Sequence, residues 1–184
     1  GKAVGTKPLR VTADPEVVLT DAERKRLYDM AMELHNLQRR ANEMISTIAP
    51  LNTQMGTVAK DVASKSDIPA DVKSQVEAFS KEVAALAQKL VPPQGGRGGG
   101  GGRGGGGTPS AVARAGQAKN GMMGGMWPTQ TTMDAYNEAK TGVPALLNEA
   151  SAMVTRAQAL SATLAKHGVT LTVPPPPKPT EALR

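Results

Sequence analysis

Apolar residues recur at alternating steps of three and four from Leu27 to Val62, and this repeat constrains the fold more than any other sequence feature. Such spacing places the side chains on one face of an α-helix, so the pattern predicts a long helix whose seam packs against other helices. Pro50 predicts a kink near Ala49, although the seam continues in phase beyond it. The seam comprises Leu27, Met30, Leu34, Leu37, Ala41, Met44, Ile48, Leu51, Met55, Val58 and Val62.

Further helices are predicted on both sides of a glycine-rich stretch. Thr20 and Glu23 have the spacing of a capping box, which predicts the start of the long helix. A second helix should follow Pro69, and a short helix should follow Thr108 and run towards Asn120. A final long helix should begin around 129–132 and stop at Gly168.

Composition favours helices over sheets, because Trp127, Tyr28, Tyr136 and Phe79 are the only aromatic residues. Ala, Leu, Val, Ile and Met must then supply the core, with strong helix formers between them. Short alternating stretches at Leu9–Val11 and 169–173 read as strands. The sequence predicts an all-α fold, an antiparallel bundle of three to four helices with two very long helices and short flanking β-strands at both ends.

The predicted core consists of apolar residues on the helix seams. They are Leu27, Met30, Leu34, Leu37, Met44, Ile48, Leu51, Val58, Val76, Phe79, Val83, Leu147, Val154 and Leu164.

Five segments follow from these patterns. Residues 1–17 form a terminal or orphan strand whose partner lies either elsewhere in this chain or in sequence outside it, and 18–91 form the first two bundle helices. Residues 92–107 are a flexible glycine-rich linker, because such a composition does not offset its ordering entropy. Residues 108–168 form the short helix and the final long helix, and 169–184 a short strand with a proline-rich tail.

Catalytic and metal-site patterns are not evident in the sequence. It contains no cysteine, and its two histidines, His35 and His167, fit structural roles because each lacks the partners that a catalytic base needs. The carboxylates are dispersed, which argues against a di-metal bundle site. We therefore predict no catalytic, cofactor-binding or metal-binding residues, no enzyme activity and no small-molecule substrate.

The net charge of +6 raises the question of nucleic acid. Basic and acidic residues alternate along the helices, which favours solvated faces and makes nucleic acid an unlikely partner. Arg97 and Arg103 lie in glycine, but the aromatic residues of RNA-binding tracts are missing there, which favours a plain linker. No apolar stretch is long enough to span a membrane.

Three residues are candidates for interaction with a partner: Leu9, Val11 and Trp127. The strand at Leu9–Val11 needs a partner strand. Trp127 follows a methionine cluster, Met122, Met123 and Met126, that suits adaptable packing over a helix junction better than metal binding.

The segments 8–15, 19–22 and 34–40 resemble the C-terminal region of large bacterial proteins with sialidase-type or sortilin-type repeat (BNR-like) β-propellers. Trp127 and the stretch 165–174 agree with this resemblance. It implies that 1–17 end a preceding β-sandwich, that the helices form an appended bundle, and that the location is periplasmic, cell-surface or secreted. Any glycosidase-like activity would belong to the propeller, whose Ser-x-Asp-x-Gly-x-Thr-Trp repeat does not occur here.

The leading functional hypothesis is a non-catalytic structural and interaction module at the C-terminus of such an exported propeller protein. It would brace the propeller or mediate protein-protein contact, with the propeller and β-sandwich domains of the same polypeptide as partners. An alternative is a stand-alone scaffold subunit that contacts neighbouring protein subunits. Nucleic-acid binding through the basic surface is the least favoured hypothesis and predicts steep salt dependence.

Overall fold

The computed structural model describes residues 5, 7–10, 12, 14, 16, 18–91 and 110–175. Within these residues the chain forms four α-helices and no β-strand, so the predicted all-α bundle is confirmed. The helices are α1 (Asp21–Ser64), α2 (Ala70–Leu90), α3 (Ala111–Met122) and α4 (Gln130–Ala165). The predicted linker, 92–107, and the proline-rich tail from 176 onward lie outside the described residues.

Three of the four helices begin at a side chain that accepts a hydrogen bond from the first turn. Thr20 and Glu23 form the predicted capping box, in which the Glu23 amide donates to Thr20 Oγ1 (3.2 Å) and the Thr20 amide to Glu23 Oε2 (2.8 Å). Ser110 and Thr129 cap α3 and α4 in the same way. These caps satisfy backbone N–H groups that have no partner inside the helix, so they fix where each helix begins.

Residue pairs between helices establish the direction of each helix. Tyr136 on α4 reaches Glu33 on α1, while Gln54 on α1 reaches Thr172 beyond the end of α4, so α1 and α4 run parallel. The pairs Lys89–Glu149 and Glu82–Arg156 show that α2 runs antiparallel to α4.

The helix α3 also runs antiparallel to α1 and α4, in the same direction as α2. Arg114 pairs with Glu138 near the start of α3, and Gly121 near its end approaches Thr132. Ala111 at the start of α3 lies beside Gly142 of α4, and Lys89 at the end of α2 lies beside Glu149 of α4. The two shorter helices therefore meet α4 at positions seven residues apart. That separation is about 10 Å of helix. The two shorter helices therefore occupy one column of the bundle, α3 beside the first halves of α1 and α4 and α2 beside their second halves.

Small residues allow α3 to approach its neighbours closely. A Cβ atom on Gly116 would lie 3.0 Å from Gln38 Nε2 of α1, and one on Gly142 of α4 would lie 2.9 Å from the Cβ of Ala111. Ala115 and Ala118 are fully buried on the same helix. The backbone of α3 thus lies close to its neighbouring helices, whereas α1 and α2 pack through larger side chains of Leu, Val, Ile, Met and Phe.

The core runs the length of the bundle along the seams of all four helices. Every residue of the predicted core is buried, with exposures between 0% and 8%. Pro50 and Pro144 lie inside α1 and α4, and both helices continue through them. Each proline removes one backbone donor, but the apolar seam stays in phase on either side and keeps the helix against its neighbours.

The flanking strands are not confirmed. Residues 169–175 form no strand, and the alternation of Val169 and Leu171 instead buries one side of the segment against the helices. Side chains satisfy its backbone, since Ser161 Oγ donates to the Leu171 carbonyl (2.7 Å) and the Thr172 amide donates to Gln54 Oε1 (3.0 Å). A period of two in the sequence therefore marks a segment with one buried side, whether or not a second strand is present. Leu9 also lies in no strand, and Val11 lies outside the described residues.

Candidate protein-binding site

Large apolar side chains are exposed together where α1 begins and α3 ends. Tyr28 is 63% exposed, Met123 66%, Met126 75% and Trp127 42%. We call these four residues the terminal patch. Single exposed apolar residues are ordinary on protein surfaces, whereas a group of them at one end of a bundle is a candidate interaction surface.

The turn between α3 and α4 contributes three of the four residues of this patch. Met123 follows the last residue of α3, and Gly125 adopts φ of 78°, a left-handed conformation that other residues rarely accept. The chain then passes Met126 and Trp127 before Thr129 caps α4. This turn carries Trp127 back across the start of α1, where the guanidinium of Arg26 lies 5.5 Å from the ring centroid.

A groove of about 710 Å³ begins at the terminal patch and runs between α1 and α3. Leu27 and Met122 are its most buried apolar residues, while Tyr28 and Met123 stand exposed at its edge. We call it the apolar groove; its apolar lining consists of Leu19, Leu27, Tyr28, Ala31, Met32, Met122 and Met123. Its size and composition match those of sites that bury an apolar ligand group.

A second, polar groove of about 530 Å³ continues from the first, and His35 and Lys119 line both. Its remaining lining residues are Gln38, Arg39, Asn42, Glu43 and Ser46, all on α1. Gln38 Oε1 is buried and has no hydrogen-bond partner among the described residues. The two grooves adjoin at His35 and Lys119. We call them together the channel; it is apolar where α1 begins and polar towards the middle of the bundle.

Basic groups outnumber carboxylates along this channel. Lys119 is half-buried, and among the described residues no carboxylate lies within 4.0 Å of its Nζ. Arg24 donates to the Leu19 carbonyl, and Arg39 donates to Glu43 at 2.9 Å. Asp14 lines the apolar groove and accepts a hydrogen bond from the Glu16 amide. The junction of the two grooves is thus positive, with His35 and Lys119 facing it.

A polar cluster on another face ties α1 to α4. The Tyr136 hydroxyl donates to Glu33 Oε2 at 2.5 Å, and Lys140 Nζ lies 3.2 Å from Glu33 Oε1. Burial, followed by the hydrogen bond to Glu33, raises the pKa of the Tyr136 phenol above its ordinary value. The phenol therefore stays protonated at neutral pH, as a donor to Glu33 requires. The cluster fixes the register of two parallel helices rather than opening a cavity.

The described residues contain no group of three or more potential metal-ligating side chains. His35 faces the channel near the first half of α1, and His167 lies in the turn after α4, where its amide donates to the Leu164 carbonyl. The structure therefore places the two histidines far apart, His35 within α1 and His167 beyond the end of α4. No helix among the residues described is long and apolar enough to cross a membrane.

Searches against family models, curated proteins and solved structures find no match to this chain. The site is therefore assigned from its own geometry.

Of the residues predicted from sequence for interaction, Trp127 lies in the terminal patch. Leu9 is 87% exposed, and Val11 lies outside the described residues. Sequence reasoning missed Tyr28 and the apolar groove. Tyr28 follows the seam residue Leu27 and so falls off the buried face; an aromatic residue at such a position is the signal that could have identified it. The groove has no sequence signal, because it depends on where α3 ends relative to α1.

Proposed function

We propose that this chain is a non-catalytic helical module that contacts protein through the terminal patch and the apolar groove. The observation that carries the proposal is the exposure of Tyr28, Met123, Met126 and Trp127 together at one end of the bundle. The partner surface is the propeller portion of the same exported bacterial polypeptide, and the bundle braces it from the C-terminal side.

The residue types in the patch are those that stabilise protein interfaces. Tyr, Trp, Met and Arg are enriched where partners meet, and Trp and Tyr are the residues whose truncation most often weakens binding. Arg26 over Trp127 gives the patch a charged edge beside an aromatic surface. Covering apolar surface is worth about 25 cal/mol per Å², so a partner that covers these side chains gains stability from each one.

The choice of a propeller as partner is supported by resemblance. The segments 8–15, 19–22 and 34–40 resemble the region that follows the propeller and β-sandwich in such proteins. The segment 19–22 opens α1 next to the terminal patch, so the chain enters the bundle at the end that exposes the patch. A preceding domain would therefore lie close to the surface that requires cover.

Photo-cross-linking in the native polypeptide tests this proposal. A benzophenone amino acid replaces Met123, and in a matched control it replaces Lys60, an exposed residue in the second half of α1. We expect the Met123 position to form adducts with peptides from the propeller portion of the polypeptide, and the Lys60 position to form none. Equal labelling at both positions would contradict a specific surface.

The cross-linking result, together with the intact mass of the chain from its native source, distinguishes the alternative hypothesis of a stand-alone scaffold subunit. A mass of 19.1 kDa, with adducts on a different polypeptide, would favour the scaffold subunit over the propeller module. A mass well above 19.1 kDa, with adducts within the same polypeptide, would favour the propeller module.

A further inference from the structure

We infer that the channel between α1 and α3 binds an amphipathic helix of the partner, with apolar side chains in the apolar groove and carboxylates beside Lys119 and His35. This inference rests on the proposed function and names the chemistry of the segment that the module recognises.

The apolar groove indicates that part of the ligand is apolar. Leu27 and Met122 are buried at 6% and 4% exposure, while Tyr28 and Met123 stand at its edge with most of their surface in water. An apolar side chain placed between them would cover exposed surface on both. Methionine adapts its shape to different partners, which suits a surface that receives leucine- or phenylalanine-sized groups.

The acidic part follows from the charges at the junction of the two grooves. Lys119 is half-buried and without a carboxylate within 4.0 Å among the residues described, and His35 faces the same point. On the polar side the carboxylate of Glu43 is already paired with Arg39. A carboxylate arriving at the junction therefore meets an ammonium that lacks a local partner, and a cationic ligand meets repulsion.

A helical ligand fits better than an extended one. Extended peptides bind by adding to the edge of a sheet, whose free backbone groups pair with theirs. The channel is bordered by two helices, whose backbone groups are bonded within each helix. A helical ligand needs no backbone partner from the channel, because its backbone hydrogen bonds are internal. The channel follows α1 from Leu27 to Ser46, about 28 Å, which is the length of a helix of about five turns.

Charge argues against a second copy of this chain as the occupant. The sequence carries a net charge of +6, so two copies that approach each other repel overall. Like charges brought together at an interface disfavour association. A partner segment with excess carboxylates gains from the same charges.

The test uses three fluorescein-labelled synthetic helical peptides and the full 184-residue chain. All share one helix-forming sequence; the first has a leucine stripe followed by glutamates, the second has lysines in place of the glutamates, and the third has serines in place of the leucines. Binding is measured by fluorescence anisotropy. We expect the glutamate peptide to bind at least about tenfold more tightly than either of the others, and the difference from the lysine peptide to shrink as salt is raised.

Charge variants of the chain test whether Lys119 causes the preference for the glutamate peptide. Lys119→Glu should abolish the preference for the glutamate peptide, and Lys119→Gln should reduce it while adding no negative charge. Lys60→Glu makes the same charge change on the exposed second half of α1 and should leave the preference within about twofold. Far-ultraviolet circular dichroism establishes that each variant keeps its helices.

Several outcomes overturn the inference. Equal affinity for the glutamate and lysine peptides, no binding of the glutamate peptide at millimolar concentration, or equal effects of Lys119→Glu and Lys60→Glu would each do so. Cross-linking of Met123 to the propeller without peptide binding would remove the helix inference and leave the proposed function standing. Peptide binding without a propeller adduct would overturn the propeller as the partner and leave protein binding through the channel standing.

Discussion

The two ends of this bundle differ in whether the chain covers its own apolar side chains. At the end where α1 stops and α2 starts, the chain covers its own apolar groups: Ile68 is 3% exposed, Val169 6% and Leu171 3%. At the opposite end, where α1 starts and α3 stops, Tyr28 and Trp127 remain 63% and 42% exposed. The first we call the closed end and the second the open end.

The difference separates apolar groups that the chain covers itself from those that it leaves in water. The segment after Gly168 folds back over the closed end, with its backbone bonded to Gln54 and Ser161. No described segment does this at the open end, where the α3–α4 turn leaves Met123 and Met126 in water. Apolar side chains at the closed end thus contribute to folding, while those at the open end gain only when a partner covers them.

The largest expected effect is on the core shared by both ends. Leu51→Ala removes a fully buried side chain of α1 and should lower the free energy of unfolding by about 2–5 kcal/mol, because it leaves a cavity in a packed interior. Urea denaturation followed by circular dichroism measures it. An unchanged midpoint would show that the seam is not the core.

A second change tests the closed end directly. Leu171→Ala should lower the free energy of unfolding by about 2 kcal/mol, near the lower limit for such a change, because the segment lies outside the helices and can readjust. Val173→Ala, at a half-buried position of the same segment, should cost less than Leu171→Ala. Equal and negligible effects would mean that the segment does not hold the closed end.

A third change concerns the buried amide of the polar groove. Gln38→Leu should raise the free energy of unfolding by about 1 kcal/mol, since it removes a buried oxygen without a hydrogen-bond partner. The neighbouring Gly116 leaves little space, so Gln38→Phe should be destabilising instead. Thermal and urea unfolding distinguish the two variants, and destabilisation by leucine would indicate that the oxygen has a partner in solution.

At the open end the effect on stability should be small. Tyr28→Ser and Met123→Ser should each change the free energy of unfolding by no more than about 0.5 kcal/mol, because both side chains are mostly exposed. Both should weaken binding of the glutamate peptide. A large loss of stability would mean that the terminal patch belongs to the core of the isolated chain.

The smallest effect should come from the capping box that starts α1. Hydrogen bonds from the Thr20 backbone and then its side chain lower the pKa of Glu23 below its ordinary value of 4.5. A lowered pKa in the folded state stabilises the fold above pH 4.5, and this contribution is lost as the pH falls through the folded value. Glu23→Gln should therefore be less stable than the parent chain at pH 7 and approach it near pH 3. A constant difference across that range would exclude the carboxylate as the cause.

Much of the bundle could be predicted from local patterns. The seam from Leu27 to Val62 identifies both a helix and its buried face, because a period near 3.6 has no other regular solution. Thr20 and Glu23 identify the start of α1 because a capping box involves only the first turn of the helix. The alternation at 169–173 identified a buried side correctly but not the partner, since a period of two does not specify whether helices or strands cover it.

The candidate site could be predicted only in part. Trp127 stands out in a sequence with few aromatic residues, and the methionines before it suggest adaptable packing. Nothing in the sequence reveals that Met122 is buried while Met123 is exposed, or that Lys119 and His35 face one point. Those facts depend on the position of α3 against α1, which arises from contacts between residues far apart in the chain.

The sequence by itself determined the helices, their buried faces and their starting points, because periodicity and capping act over one or two helical turns. Only the tertiary structure decided that α2 and α3 share one column beside two parallel helices, and that the chain closes one end of the bundle and leaves the other open. The physical reason is that burial along a seam is a property of each helix, whereas the exposure of an end depends on which distant segment returns to cover it.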